Sequence, residues 1–275
     1  MQMEQSSNIL ADFEAYLVRR SLSKNTVTAY RTGVKQFLTL YKEVSPDALG
    51  LYKSYLMEHY QPQTVNLRLR ALKCFLQFKG IEDCQMRTIR LPRKSYLERV
   101  ISRADYEYLK TRLWSDEEFT FYFIVRFLAA TGVRVSELVT FQTEDVSAGY
   151  KDIYSKQNKM RRVYIPTCLQ KLCLEWLNRE NRRHGPLFLS HLGSAITDSG
   201  IRSQLKVFGG RYLLDTHVLY PHSFRHLFAK NFIESGGDIA FLSNLLGHDS
   251  IETTRIYLRK TSFEQAKIFS EVVDW

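Results

Sequence analysis

The sequence lacks the features that mark a secreted, membrane or metal-stabilised protein. Its four cysteines form no CxxC pair, so they predict neither a disulfide framework nor a structural zinc site. No stretch approaches the roughly 18 consecutive apolar residues that a membrane helix needs. The N-terminus has no basic segment followed by an apolar run, which excludes a secretory signal. We therefore expect a cytoplasmic protein that has no association with a membrane.

Internal repeats, low-complexity tracts and metal-ligand patterns such as HExxH are also missing, and we expect no metal and no cofactor. The apolar fraction of 44% is too high for a disordered chain. A length of 275 residues indicates one large domain or two smaller ones.

Positive charge is in excess and is unevenly distributed. The chain carries 39 Lys and Arg against 29 Asp and Glu, a net charge of +10. Residues 1–100 hold 16 basic and 9 acidic side chains and so carry +7 of that excess. A basic surface favours an acidic partner, most commonly nucleic acid, because each neutralised phosphate releases condensed counterions. A solvated basic helical face explains the same charge equally well.

The first third of the chain has the periodicity of a small helical bundle. Apolar residues recur at helical spacing over 6–20, after an N-cap at Ser23, over 47–59 and over about 62–79. Gly80 is expected to end the last helix. These patterns predict a helical domain over residues 1–92, which its excess of positive charge makes a candidate for DNA binding.

A basic linker is expected over residues 93–98. Pro92 disfavours helix at the residue before it, and Arg93 and Lys94 follow directly. An extended basic segment suits contact with a phosphate backbone, so we expect both side chains to bind DNA. The remaining residues, 99–275, form the second predicted domain.

The second domain is predicted to be helical with one small β-hairpin. Segment 119–131 is apolar nearly all round and should be a buried helix. Alternating residues at 152–155 and 162–166 flank a polar, charged turn, which predicts a hairpin. The expected fold is therefore mainly α with a small β-sheet, arranged as two domains.

Three short segments of this domain carry candidate chemistry. Arg134 follows the break at Gly132 beside the predicted core, where a guanidinium calls for an anionic partner. Glu137, three residues on, is a candidate partner, and taken alone the two residues are better explained as a purely structural ion pair.

His222 and Arg225 lie three residues apart and share one face if that segment is helical. Pro221 suits the first turn of such a helix. His248 directly follows Gly247, between two predicted helices, and Tyr257 stands in a polar context that looks exposed. Taken singly, these features also fit a capped surface helix and a surface tyrosine.

Together and in this order the segments resemble the catalytic signature of the tyrosine recombinases, the family of the phage integrases, Cre and the Xer proteins. ATGVRVSEL resembles the first arginine box, HSFRHLFA the His-x-x-Arg box and LLGHDSIETTRIYLR the final His and Tyr box. The N-terminal module is similar to the SAM-like core-binding domain of the family. The implied architecture is that domain followed by an α+β catalytic domain.

The resemblance implies a role for each matched residue. Tyr257 would attack a DNA phosphodiester, two arginines would hold the non-bridging oxygens, and His222 would assist the phenol. The hairpin segment SKQNKMRR departs from the family pattern, since Ser155 and Gln157 replace glycines; Lys156 is the expected catalytic lysine and Lys159 the alternative. The implied catalytic residues are Arg134, Lys156, His222, Arg225, His248 and Tyr257; Glu137 would orient Arg134, and the expected DNA contacts are Arg93, Lys94, Lys159 and Arg161.

The family also implies how the protein assembles. Apolar residues recur at helical spacing over about 262–275, which predicts a tail that either packs on its own domain or docks into a neighbouring protomer. Docking would give a homotetramer on two double-stranded DNA sites with inverted repeats. The short N-terminal part favours a simple Cre-like or Xer-like system. The competing functions are a type IB topoisomerase and a non-catalytic DNA-binding regulator.

Overall fold

A computed structural model describes residues 2–41, 43–81, 86–91, 99–154, 160–259 and 262–273. The chain forms two compact units, Met1–Arg93 and Lys94–Trp275. The predicted linker, 93–98, lies outside the described residues. Each unit has its own hydrophobic core.

The described residues of the first unit form a bundle of four helices: α1 (Gln2–Arg19), α2 (Lys24–Leu40), α3 (Pro46–His59) and α4 (Pro62–Phe78). The predicted helices are thus present, and the N-cap at Ser23 is confirmed, since its side chain accepts a hydrogen bond from the Thr26 amide. Gly80 follows α4 with a φ of +73°, the left-handed conformation that ends helices.

Aromatic side chains dominate the core of the first unit. Phe13, Phe37, Tyr52 and Phe75 are all buried. The Phe13 and Phe75 rings meet edge to face at 5.2 Å, as do the rings of Phe37 and Tyr52. Such pairs add to the stabilisation from the buried area alone.

The second unit is mostly helical and contains the predicted hairpin. Its elements before the hairpin are α5 (Arg103–Ser115), α6 (Phe119–Thr131), α7 (Val135–Leu138) and α8 (Thr143–Ala148). The hairpin itself is β1 (Tyr150–Tyr154) and β2 (Met160–Tyr164). After it come α9 (Thr167–Arg179), α10 (Asp198–Arg211), α11 (Pro221–Glu234), α12 (Ile239–Leu246), α13 (Ile251–Thr254), a 3-10 helix (Arg255–Leu258) and α14 (Ser262–Val272).

Helix α6 lies at the centre of the second unit, as its all-round apolar sequence predicted. Phe123, Phe127 and Leu128 are completely buried. The aromatic rings of α6 contact Trp176 of α9 and Phe208 of α10. Because α11 also packs on α6, residues of both helices meet at the carboxyl end of α6, where the candidate site forms.

The two strands pair antiparallel, with Asp152 opposite Arg162 and Ile153 opposite Arg161. Side chains alternate between the faces of a strand. Arg161 therefore shares the inner face with buried Val163, while Arg162 lies on the outer face, bound to Asp152 through two hydrogen bonds.

Helix α14 confirms that the tail is helical. Phe269 and Val272 are each 64% exposed, so these two apolar side chains do not pack into the unit that carries them. Among the residues that the model describes, no helix is long and apolar enough to cross a membrane.

Candidate active site

The junction between α6 and α7 holds Arg134 at the edge of the core. Gly132 ends α6 with a φ of +63°, and a Cβ there would lie 2.4 Å from a ring carbon of Phe228, so both conformation and space require glycine. Arg134 is the N-cap residue of α7, and its side chain is 44% exposed. The guanidinium is therefore anchored at a helix start and is open to solvent.

The Glu137 carboxylate binds two guanidinium groups. Its carboxylate accepts hydrogen bonds from the Arg134 amide at 2.7 Å and from Arg134 Nη1 at 3.0 Å. It also accepts from Arg161 Nη2 at 2.7 Å and, more weakly, from Arg161 Nη1 at 3.3 Å. The carboxylate thus holds Arg134 in place, as expected, and joins it to the hairpin.

Arg161 is held within the protein by hydrogen bonds, and its expected contact with DNA stays a prediction. Its side chain is only 12% exposed, and Nε donates to the Leu245 carbonyl at 3.0 Å. A Cβ on Gly247 would lie 2.7 Å from Arg161 Cδ, so glycine is needed for this approach. Burial lowers the pKa of Arg161, and the negative charge of Glu137 opposes that shift.

Helix α11 supplies the second guanidinium of the site. Pro221 occupies its first turn, as predicted, and Arg225 follows one turn later with 1% of its surface exposed. Nη1 donates to the Gly132 carbonyl and Nη2 to the Leu246 carbonyl, each at 2.6 Å. The Nε–H is buried without a hydrogen-bond partner among the described residues. Burial, together with the positive charge of Arg134, lowers the pKa of Arg225 to about 10.

His248 lies between Arg225 and Thr254. Arg225 Nη2 is 3.0 Å from Nε2 of His248, and Nδ1 is 2.8 Å from the Thr254 hydroxyl. Since arginine can only donate, Nε2 accepts and the ring proton is on Nδ1. Burial and the positive charge of Arg225 lower the pKa of His248 to about 4, so the ring is neutral at pH 7.

Tyr257 is buried, which corrects the expectation of an exposed side chain. It lies on the 3-10 helix and is 3% exposed. Its ring is 5.2 Å from that of His226 and stacks with that of His248 at 6.3 Å. Burial raises the pKa of the phenol, while the charge of Arg225 and a hydrogen bond from it oppose the increase.

His226 belongs to the same cluster, although it is not among the site residues predicted from the sequence. It follows His222 by one helical turn, and Nε2 of His226 is 3.2 Å from Nδ1 of His222. Burial and the charge of His222 lower the pKa of His226 to about 4. Spacing of four residues on a helix already placed the two rings on one face, which is the signal that could have identified it.

An open cleft of about 1030 Å³ runs along this cluster. Arg134, Glu137 and His248 line one side of it, and Tyr154 and Met160, the described residues nearest the hairpin turn, line another. The turn itself, with Lys156 and Lys159, lies outside the described residues, as do Arg93 and Lys94. In the part of the chain that the model describes, no group of three His, Cys, Asp or Glu side chains could hold a metal ion.

Comparison with known proteins assigns the chain to a family. Residues 97–263 match the phage integrase family, and residues 10–82 match the N-terminal SAM-like domain of phage integrases. Tyrosine recombinase XerA of Pyrococcus furiosus is 30% identical, with coverage of 98% of this chain and 93% of that protein. Tyrosine recombinase XerC of Herpetosiphon aurantiacus is 32% identical, with coverage of 94% of each.

Solved structures have the same fold. The Tn1549 transposon integrase in complex with transposon right end DNA matches with a TM-score of 0.71 at 16% identity, covering 97% of this chain and 99% of that one. A lambda integrase tetramer bound to a Holliday junction matches with a TM-score of 0.73 at 15% identity, covering 93% and 79%. The chain therefore belongs to the phage integrase family, the tyrosine recombinases, and is an enzyme that breaks and rejoins DNA.

Proposed function

We propose that the protein is a site-specific recombinase that cleaves DNA through a 3′-phosphotyrosine intermediate, with Tyr257 as the nucleophile. The observation that carries this proposal is the burial of Tyr257 against the rings of His226 and His248, in a cluster of three histidines and two arginines where Arg225 Nη2 is 3.0 Å from Nε2 of His248. The phenol oxygen attacks phosphorus, the bond to the 5′ oxygen breaks, and the phosphotyrosine bond conserves the energy for religation.

The two arginines stabilise the charge that develops on the non-bridging oxygens. Arg134 presents an exposed guanidinium fixed by Glu137, and Arg225 is held by two carbonyl groups. Both are held before DNA binds, so little reorganisation is needed at the moment of reaction. The Nε–H of Arg225, which lacks a partner among the described residues, is a donor suited to an anionic oxygen.

The histidines and a lysine donate or accept the hydrogen bonds and protons of the reaction. His248 positions the phosphate beside Arg225, and His222 either accepts the phenol proton or donates a hydrogen bond to a phosphate oxygen. We assign Lys156 to protonation of the departing 5′ oxygen, because the hairpin that carries it flanks the cleft. Lys159 is the alternative, and Arg93 and Lys94 remain proposed contacts to the DNA backbone.

We further propose that four protomers act on two double-stranded sites with inverted repeats, in the cytoplasm. The exposed apolar side chains of α14 support docking of this helix on a neighbouring protomer. The lambda integrase that shares the fold is a tetramer on a Holliday junction. Resolution, integration, excision and inversion are all reactions that such an assembly performs.

A nicked suicide substrate tests the nucleophile. The wild-type protein should form a covalent adduct on the 3′ phosphate, and Tyr257→Phe should bind DNA normally without forming it. Phenylalanine keeps the buried ring, so the variant should remain folded, and Tyr164→Phe on the exposed face of the hairpin is the matched control. An adduct that persists in Tyr257→Phe contradicts the assignment.

A further inference from the structure

Two histidine rings on α11 are hydrogen-bonded to each other beside the proposed nucleophile. Nδ1 of His222 is 3.2 Å from Nε2 of His226, and the ring centroids are 4.8 Å apart. The His226 ring also lies against that of Tyr257. His226 is therefore in direct contact with two residues of the proposed reaction and has no role of its own in it.

The hydrogen bond between the rings fixes where their protons lie. Burial and the nearby charge of Arg225 lower the pKa of His222, and the pKa of His226 is about 4, so both rings are neutral at pH 7. A neutral imidazole has one N–H and one lone pair. In one arrangement His226 donates from Nε2; in the other, His222 donates from Nδ1.

The second nitrogen of His226 decides between the two arrangements. Nδ1 of His226 is buried and has no hydrogen-bond partner within the described residues. If His222 were the donor, the proton of His226 would be on Nδ1, as a buried N–H without an acceptor. Orphaned buried N–H groups are rarer in proteins than incompletely filled acceptors. The favoured arrangement keeps the proton of His226 on Nε2, where it is donated to His222.

We propose that His226 is a positioning residue that holds His222 in the tautomer with its proton on Nε2, through the hydrogen bond to Nδ1. His222 is on the exposed side of the pair, so its Nε2–H is available to an incoming group. Given the proposed function, this tautomer makes His222 a hydrogen-bond donor to a phosphate oxygen. Its Nδ1 lone pair is occupied by His226, so the phenol proton passes to a non-bridging oxygen of the attacked phosphate and not to His222.

Nitrogen-15 NMR of histidine-labelled protein tests the tautomer directly. Two-bond correlations distinguish an Nε2–H ring from an Nδ1–H ring, and a His222→Asn sample identifies the His222 signals among the seven histidines. The wild-type protein should show His222 with its proton on Nε2. His226→Leu should give a mixture of tautomers, and His226→Gln, whose amide N–H can replace the donor, should restore the single form. A wild-type His222 protonated on Nδ1, or an unchanged tautomer in His226→Leu, overturns the proposal.

Single-turnover cleavage tests the consequence. His226→Leu should cleave roughly 10- to 100-fold more slowly, the loss found when a partner that orients a metal-bound imidazole is removed. His226→Gln should recover most of the rate, while DNA binding and thermal melting stay close to wild type in both. If the tautomer of His222 shifts in His226→Leu while cleavage stays at the wild-type rate, His222 takes no part in the reaction. If no variant and no wild-type protein cleaves, the proposed function fails, while the NMR result still decides the role of His226.

Discussion

Removal of the Glu137 carboxylate should destabilise the second unit more than removal of an ordinary surface carboxylate. In Glu137→Ala, the guanidinium of Arg161 keeps one hydrogen bond to the described residues, that to the Leu245 carbonyl, although its side chain is 12% exposed. Breaking a fully buried ion pair from one side costs about 3–5 kcal/mol. The Glu137 side chain is 14% exposed, so partial solvation reduces this figure, and we expect about 2–4 kcal/mol.

Thermal melting followed by tryptophan fluorescence measures this loss. All three tryptophans lie in the second unit, so the signal reports on the unfolding of that unit. For a domain of 150–250 residues, each 1 kcal/mol lowers Tm by about 2–4 °C, so Glu137→Ala should melt roughly 5–15 °C below wild type. Cleavage should also slow, because Arg134 loses the group that fixes its guanidinium.

Glu107→Ala is the matched control. Glu107 also pairs with a basic residue three positions away, Lys110, but its carboxylate is 51% exposed. Exposed pairs contribute about 0–1 kcal/mol, so this variant should melt within a few degrees of wild type. Equal shifts in Glu107→Ala and Glu137→Ala would refute the argument that burial of Arg161 sets the cost.

Two further predictions concern pH and the tail. The pKa values of His226 and His248 are about 4 in the folded protein, below the ordinary 6.5. Between these two values the unfolded state binds more protons than the folded state. The free energy of unfolding should therefore decrease as the pH falls from about 6.5 to 4, by up to about 1.4 kcal/mol per pH unit for each histidine. In urea unfolding, the free energy of unfolding should decrease less steeply with falling pH in His226→Gln than in the exposed control His191→Asn. A free energy of unfolding that does not change over this pH range contradicts the lowered pKa values of His226 and His248. Deletion of residues 262–275 should leave DNA binding intact and impair strand exchange, as measured on paired sites. Strand exchange at the wild-type level by the truncated protein would show that α14 has no role in the assembly.

Local signals in the sequence were sufficient to predict most helices. Ser23 caps α2 where expected, and the all-apolar segment 119–131 forms the central α6. These features depend on neighbours within a few residues, through capping hydrogen bonds and helical periodicity. The same locality explains why the hairpin strands were found within one or two residues of their observed ends.

The prediction that failed concerns the burial of a side chain, which elements distant in the sequence determine. The polar context TTRIYLRK gave no sign that the 3-10 helix directs Tyr257 inward, because the covering groups come from α11 and from the loop after α12. For Arg161, strand alternation gives the same face as buried Val163, so the period of two already argued for an inward guanidinium, and its contact with DNA stays a prediction.

The candidate site carries more positive than negative charge, which suits a negatively charged substrate. Two guanidinium groups, those of Arg134 and Arg161, share the carboxylate of Glu137, and Arg225 adds a third positive charge nearby. Burial lowers the pKa of His222 and of His248, and the positive charge of the nearby arginines lowers both further; the same charge opposes the effect of burial on Tyr257. A phosphodiester bound beside Arg134 and Arg225 would supply the missing negative charge and raise the pKa of those histidines. We therefore expect the fold to maintain an unneutralised cationic centre, whose field already favours the phenolate of Tyr257 and is neutralised by the DNA that Tyr257 attacks.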